Sequence, residues 1–289
     1  MKNLDLIDPV EYDLTVAKLR DFFRIKRFIE TPVQHRLSIL AACEDPRTIG
    51  TFTYAGQNWP LPQTGQMWLE YELLNNPSST GFYCISTSYR NEPNPIEGRH
   101  NLIFPMFEFE THGDIEHLAE LEVELLIYLG FNKSPRQSWW ITPAFPGDSY
   151  KHMAEHYGVK ELTAEHETKI HEEFGPVFFL SRFPQYTSPF WNMKKVDDIA
   201  NKIDVLLYGI ETIGSAERST DPEEMRHLFH TISSGMYADI LYAQFGKERV
   251  EEELEKFLTH KLFPRCGGGI GITRMIRALK LAEVLQPVR

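Results

Sequence analysis

Cysteine is scarce in this chain, and the three present, Cys43, Cys84 and Cys266, are odd in number and not in metal-ligand spacing. That argues against a disulfide framework or a cysteine-built metal centre and fits a reducing cytoplasm. Basic charge is short too: 30 Lys and Arg stand against 41 Asp and Glu, a net charge of −11. Nucleic-acid binders usually carry a basic surface that releases counterions. Broad RNA binding is therefore disfavoured, though a local basic patch leaves it open. No run approaches the roughly 20 apolar residues of a membrane span, so no membrane partner is expected. The N-terminus carries Asp5 and Asp8 where a secretory signal has its apolar core. Internal repeats and low-complexity tracts are also lacking.

What is present suits a large core: 42% of the 289 residues are hydrophobic and 25% charged, an ordinary globular balance. Residues 12–26 predict a helix with Leu14, Val16, Leu19, Phe22 and Phe23 on its apolar face. Residues 28–33 read as a short strand that Pro32 confines to an edge or interface, and 43–62 as loop. A helix is expected over 66–74 and strands over 81–90 and 101–111. In the second strand Phe104, Met106, Glu108 and Glu110 share one face, opposite Ile103, Pro105, Phe107 and Phe109. That face reads as a solvated surface or as a lined cleft. Further helices are expected over 117–129, 163–174, 223–243 and 248–260, and strands over 176–183 and 202–210. Strands among helices without β-α-β alternation imply an α+β fold, an antiparallel β-sheet flanked by helices.

Four groups of residues carry chemistry. The run from Arg265 to Arg274 holds Gly267, Gly268, Gly269 and Gly271 before a helix near Met275–Leu281. It reads as a tight connection or as a phosphate cradle, where glycines admit close approach, a helix N-terminus offers N–H groups and Arg274 adds a cationic fork. The second group is Arg90-Asn91-Glu92 with Arg99-His100, Phe104, Glu108 and Glu110. The third runs from Phe183 through Ser188 to Met193, and the fourth from Asp204 through Glu211 to Arg218.

Together these groups resemble the catalytic domain of class II aminoacyl-tRNA synthetases of the aspartate, asparagine and lysine subgroup, and the stand-alone asparagine synthetases that share it. The resemblance spans residues 12–289. Thr31-Pro32 is similar to motif 1, whose proline lies at a dimer interface, so a homodimer around Pro32 is implied. Arg90-Asn91-Glu92 with Arg99, His100 and Phe104 is similar to motif 2, and Gly269 to Arg274 to motif 3. The resemblance implies ATP and Mg2+ as cofactors and an aminoacyl-adenylate as intermediate. Arg90 and Arg274 become the catalytic arginines. Glu92, Arg99, His100, Phe104, Glu211, Gly269 and Gly271 join them around ATP, and Asp204 and Glu211 become the metal ligands. Joining a carboxylate to a phosphate brings two anions together, which cations and positioning must serve. On one strand a spacing of seven would put Asp204 and Glu211 on opposite faces, so Gly209 is expected to supply an irregularity.

The resemblance also places Arg218 where the subgroup's aspartate- and asparagine-handling members have an arginine against the substrate side chain, with Gln63, Gln66 and Glu110 lining the same pocket; a guanidinium matches the carboxylate of an aspartate-like amino acid bidentately. The other reading of Arg218 is a surface ion pair with Asp221. Departures from the subgroup's pattern include Leu69 for a lysine, Glu217 for a glutamine, Gly214 for a serine, Ile103 for a glutamate and Thr273 for an acid. Thr273 and the three consecutive glycines lean toward the stand-alone ligases. Residues 1–289 are expected to form one catalytic domain without the anticodon-reading OB domain of about a hundred residues. The expected activity is amino acid activation in the cytoplasm followed by transfer to a small acceptor, with ammonia giving asparagine from aspartate as the favoured form. The alternatives are aminoacylation of a tRNA, carrier protein or protein lysine, and a non-catalytic regulatory paralogue.

Overall fold

The computed structural model describes residues 6–33, 37–40, 46–95, 101–132 and 144–285. Arg99 and His100, named above around ATP, lie outside the described residues. Helix α1 (Pro9–Ile25) starts where Asp8 accepts hydrogen bonds from the Val10 and Glu11 N–H groups at 2.9 and 3.0 Å, with Pro9 preset for the first turn. There follow β1 (Ile29–Glu30), β2 (Thr51–Tyr54), β3 (Gln57–Pro60), α2 (Gln66–Asn75), β4 (Gly81–Tyr89) and β5 (Ile103–His112). Next come α3 (Ile115–Leu129), β6 (Gly147–Ser149), α4 (Tyr150–His156), α5 (Ala164–Phe174), β7 (Val177–Pro184) and β8 (Lys195–Val196). The chain continues through β9 (Ile199–Leu207), β10 (Ile210–Glu217), α6 (Pro222–Thr231), α7 (Met236–Phe245), α8 (Lys247–Leu258), β11 (Arg265–Gly271) and α9 (Ile272–Leu281).

Among the described residues the main sheet runs β1-β4-β5-β11-β10-β9-β7-β6, with β8 beside β9. Its pairs are antiparallel except β1 with β4 and β6 with β7. The expected α+β architecture is therefore present. Three expectations about elements need correction. The loop expected over 43–62 contains the β2–β3 hairpin, whose turn residues Ala55 and Gly56 both take positive φ, as a two-residue hairpin turn requires. The helix expected over 223–243 is broken between α6 and α7, where Ser233 and Ser234 adopt φ of 53° and 59°. A right-handed helix cannot run through left-handed residues. The strand expected over 202–210 is instead two strands, β9 and β10, turned at Tyr208 and Gly209.

One face of the sheet is packed by α1, α3 and α9, with Leu19, Phe23, Leu118, Ile203, Val205, Ile270 and Leu279 in a continuous apolar cluster. Strand alternation sends Phe107 and Phe109 into this cluster. It sends Glu108 and Glu110 to the opposite face, where both are fully buried. Of the two readings for that face, the lined cleft is therefore correct. A second cluster, with Trp191, Met225, Phe229 and Tyr237, joins α2, α6, α7 and α8.

Candidate active site

The glycine run is a strand rather than a tight connection. It is β11, a central strand buried along its whole length between β5 and β10. A Cβ on Gly267 would lie 2.0 Å from Glu110 Oε2, and one on Gly268 would lie 2.6 Å from Ser215 Cβ. Neighbouring chains approach too closely for a side chain, which is one reason glycine stands inside a strand. The strand's alternation puts Arg265, Gly267, Gly269 and Gly271 on one face. Gly271 ends the strand, and α9 carries Arg274, whose Nη1 donates to the Glu211 carbonyl oxygen at 2.7 Å.

Above Gly267 and Gly269 lies a buried network of charges. Arg218 donates from Nε to Glu110 Oε1 at 3.1 Å and from Nη2 to Glu110 Oε2 at 3.0 Å. The same Nη2 donates to Gln66 Oε1 at 3.2 Å. Arg265 donates through Nε and Nη2 to Glu70 Oε2 at 3.0 and 2.8 Å, and Glu70 Oε1 lies 3.6 Å from Arg218. Asn192 donates its amide N–H to Glu70 Oε1. The surface ion pair of Arg218 with Asp221 is thus excluded: Arg218 is 2% exposed, and Asp221 caps α6 instead. Burial pushes the Glu110 carboxyl up, against the pull of the Arg218 guanidinium.

Glu108 has a different task. It accepts from the Gly65 N–H and from the Thr64 and Ser86 hydroxyls, so it holds the start of α2 against the sheet. Burial raises its carboxyl, opposed by those hydrogen bonds and by the Arg90 cation. Gln63 donates to Thr48 Oγ1 at 2.8 Å. Arg90 continues β4, its N–H donating to the Leu102 carbonyl at 2.8 Å and its guanidinium lying 5.5 Å over the Phe104 ring. Glu92 follows in the adjoining loop, half-buried.

Asp204 and Glu211 stand on adjacent strands, and the irregularity expected at Gly209 is the turn between them, where Gly209 takes φ of 74°. Asp204 pairs with Gly214, and a bulge between Glu211 and Ile213 resets the face. Where a Gly214 Cβ would stand, Glu211 Oε1 is 2.9 Å away and Asp204 Oδ1 3.6 Å away, so the two carboxylates do converge. No group of three or more potential metal-binding side chains exists among the described residues. Two carboxylates with substrate phosphates are nonetheless a usual Mg2+ environment, and in that sense the pair fits the ion. Lys202 Nζ stands 2.9 Å from Asp204 Oδ2 and 4.3 Å over the Phe183 ring.

A cavity of about 90 Å³ is lined by Gln63, Gln66, Arg90, Glu211, Arg218 and Gly269, with Glu70, Asn192 and Lys202 also on its wall. Residues expected on both sides of an adenylate therefore meet at one cavity. Glu92, Phe104, Glu110, Asp204, Gly271 and Arg274 are not on its wall, though Glu110 and Arg274 bond to residues that are. Sequence reasoning missed Glu70, Arg265 and Lys202 as site residues. Each had a periodic signal: Glu70 follows Gln66 by one helical turn, Arg265 shares the face of Gly267, and Lys202 shares the face of Asp204.

An antiparallel sheet carrying arginines from the end of β4, the end of β10 and the first turn of α9, with paired acids between them, defines a class II synthetase catalytic domain. The chain belongs to the tRNA synthetases class II (D, K and N), whose family model matches residues 13–288. It is 25% identical over 290 aligned residues to the asparagine–tRNA ligase of Pelotomaculum thermopropionicum, covering 89% of this chain and 62% of that protein. An aspartate–tRNA(Asp/Asn) ligase of Methanopyrus kandleri is 28% identical over 134 residues, or 45% of this chain and 27% of the relative. The fold matches asparaginyl-tRNA synthetase from Pyrococcus horikoshii complexed with asparaginyl-adenylate, with a TM-score of 0.75 and 20% identity, over 95% of this chain and 65% of that one. The chain thus spans less than two thirds of the length of these proteins.

Proposed function

We propose that this chain is an ATP-dependent ligase that activates a compact polar amino acid as its adenylate and passes the acyl group to a small nitrogen nucleophile. The observation that carries this reading is the meeting of Arg90, Glu211, Arg218 and Gly269 on one small cavity. Arg90, at the cavity wall, holds the amino acid carboxylate against the α-phosphate of ATP. Arg274, tied to the Glu211 backbone, bears on the outer phosphate and the adenine side. Phe104, beneath Arg90, offers a ring face to the base. Asp204 and Glu211 would hold Mg2+, which supplies charge neutralisation for phosphoryl oxygens when bound. Displacement of pyrophosphate then needs positioning and cationic stabilisation more than a dedicated base.

The side-chain end of the substrate meets a balanced cluster, with Arg218 and Arg265 facing Glu70 and Glu110. Aspartate is the substrate favoured from the sequence. A balanced cluster also offers donors and acceptors to a neutral amide, and relatives of this chain are named asparagine and aspartate ligases. A homodimer through the exposed segment around Ile29 and Pro32 completes the reading.

A second reading is attachment of the acyl group to RNA, favoured by the tRNA ligase names of the relatives. The net charge of −11 weighs against it. ATP–pyrophosphate exchange measured with each of the twenty amino acids tests the activation step, and no exchange with any of them would overturn it. Labelled amino acid recovered on RNA rather than in a small amide would favour the second reading.

A further inference from the structure

A second cavity of about 350 Å³ adjoins the first, and Phe190, Met193 and Lys202 belong to both walls. Its other lining includes Arg47, Phe183, Ser188, Ser233 and Met236. Two features set it apart. Among the described residues no carboxylate lines it, although the chain has 41 acidic residues against 30 basic ones. Two cations do line it: Lys202, whose side chain is 14% exposed at the shared wall, and Arg47, which is solvent-exposed. Between them lie apolar surfaces of Phe183 and Met236 and the residues Ser188 and Ser233, both held at φ of 53°. Non-glycine residues at positive φ are uncommon and gather at ligand clamps.

We propose that this second cavity receives the acyl acceptor, a primary amine that also carries a carboxylate or comparable anion. The inference deepens the function proposed above and rests on it. The amine nitrogen attacks the carbonyl carbon of the adenylate at the shared wall. The new C–N bond forms as the bond from carbonyl carbon to phosphate oxygen breaks, AMP leaves with the electron pair, and the nitrogen gives one proton to solvent. The acceptor's anionic end points away from the reacting carbon, toward Arg47. Ammonia is about the size of one water and would leave nearly all of the cavity vacant. The size of the cavity and its charge thus point to a larger partner than the ammonia favoured from the sequence.

The test uses the full chain with ATP, Mg2+ and whichever amino acid supports pyrophosphate exchange. Ammonium chloride, methylamine, glycine, β-alanine and taurine are supplied in turn as acceptors, and amide products are quantified by mass spectrometry. Glycine, β-alanine or taurine is expected to exceed methylamine by about tenfold or more in kcat/KM, the worth of one charge-assisted hydrogen bond. Arg47→Ala should remove most of that preference. Met236→Trp, which fills the cavity, should lower the yield with the larger amines relative to ammonium. Both effects are read as ratios within one preparation, so a general loss of activation cancels. Equal rates with methylamine and the anionic amines, or a preference unchanged by Arg47→Ala, would overturn the proposal. Where no amino acid supports exchange, the activation reading fails by itself. Saturation-transfer NMR of glycine, β-alanine and taurine with wild type and Met236→Trp then decides the cavity separately. Binding lost in the variant upholds an anionic-amine site, and no binding to wild type ends it.

Discussion

Glu110 and Arg218 face each other as two parallel forks, Nε to Oε1 at 3.1 Å and Nη2 to Oε2 at 3.0 Å, with each residue no more than 2% exposed. The guanidinium face that matches a substrate carboxylate is thereby filled from within the protein. On the proposed function, specificity would then belong to the whole cluster of Glu70, Glu110, Arg218 and Arg265, not to Arg218 alone. It follows that changing one member alters both the pocket's charge and the stability of the sheet.

Removing one partner of a buried pair leaves the other charge uncompensated, at a cost of about 3 kcal/mol or more. Glu110→Gln is expected to lower the unfolding free energy by roughly that amount in urea titrations at neutral pH. The double variant Glu110→Leu with Arg218→Leu should recover much of the loss, because no lone charge remains. A single-variant loss below about 1 kcal/mol would show that the pair is not desolvated as described.

The glycines of β11 give a sharper contrast. An alanine methyl at Gly267 would stand 2.0 Å from Glu110 Oε2 and 2.3 Å from the Phe109 carbonyl oxygen, and the latter cannot rotate away. At Gly271 the nearest atoms, 3.6 Å off, are those of the Arg274 side chain rather than backbone, and φ is −68°. Gly267→Ala is expected to cost about 3 kcal/mol or more, or to prevent folding. Gly271→Ala should change stability by less than about 1 kcal/mol. Thermal unfolding of the two purified variants decides the matter, and similar melting temperatures would count against the strand geometry.

The same strand shows what could be read from the sequence and what could not. The β5 alternation was legible, because Phe107 and Phe109 alternate with Glu108 and Glu110 and a period of two needs no tertiary information. The order of the motif segments was legible for the same local reason. The strand character of the glycine run was not legible, since glycine marks turns and close-packed strands alike, and only its neighbours Glu110 and Ser215 reveal which applies. The pairing of Asp204 with Glu211 also depended on a hairpin and a bulge that set the register. Glu70 and Arg265 are 195 residues apart, and no local pattern announces their contact.

Glu122 on α3 supplies a pH dependence. It is fully buried, and neither oxygen makes a well-formed hydrogen bond. Burial pushes its carboxyl up to about 8 from an ordinary 4.5, the Asp204 charge adding to the rise and the Ser215 hydroxyl opposing it. The folded chain therefore keeps a proton that the unfolded chain releases. Between those two values the unfolded state binds fewer protons, so this group's stability falls as pH rises, by up to about 1.4 kcal/mol per pH unit. Glu122→Gln should gain stability relative to wild type from pH 5 to pH 8. Urea unfolding at both values checks this, and a pH-independent difference would refute it.

Arg274 joins the two halves of the proposed activation step. Its position on the first turn of α9 and its hydrogen bond to the Glu211 carbonyl place a fixed cation beside the acidic pair. The role assigned to it is transition-state charge stabilisation, which a shorter side chain cannot reproduce. Arg274→Ala is expected to lower amino acid-dependent ATP–pyrophosphate exchange at least tenfold, on the order of 1.4 kcal/mol of barrier. Arg274→Lys keeps a point charge but loses the planar fork, so its rate should fall between wild type and alanine. Measuring kcat and KM for ATP separately distinguishes lost catalysis from lost binding, because an interaction made only in the transition state lowers kcat while leaving KM in place. Full exchange in the alanine variant would remove Arg274 from the mechanism and leave Arg90 as the arginine at the reacting phosphate.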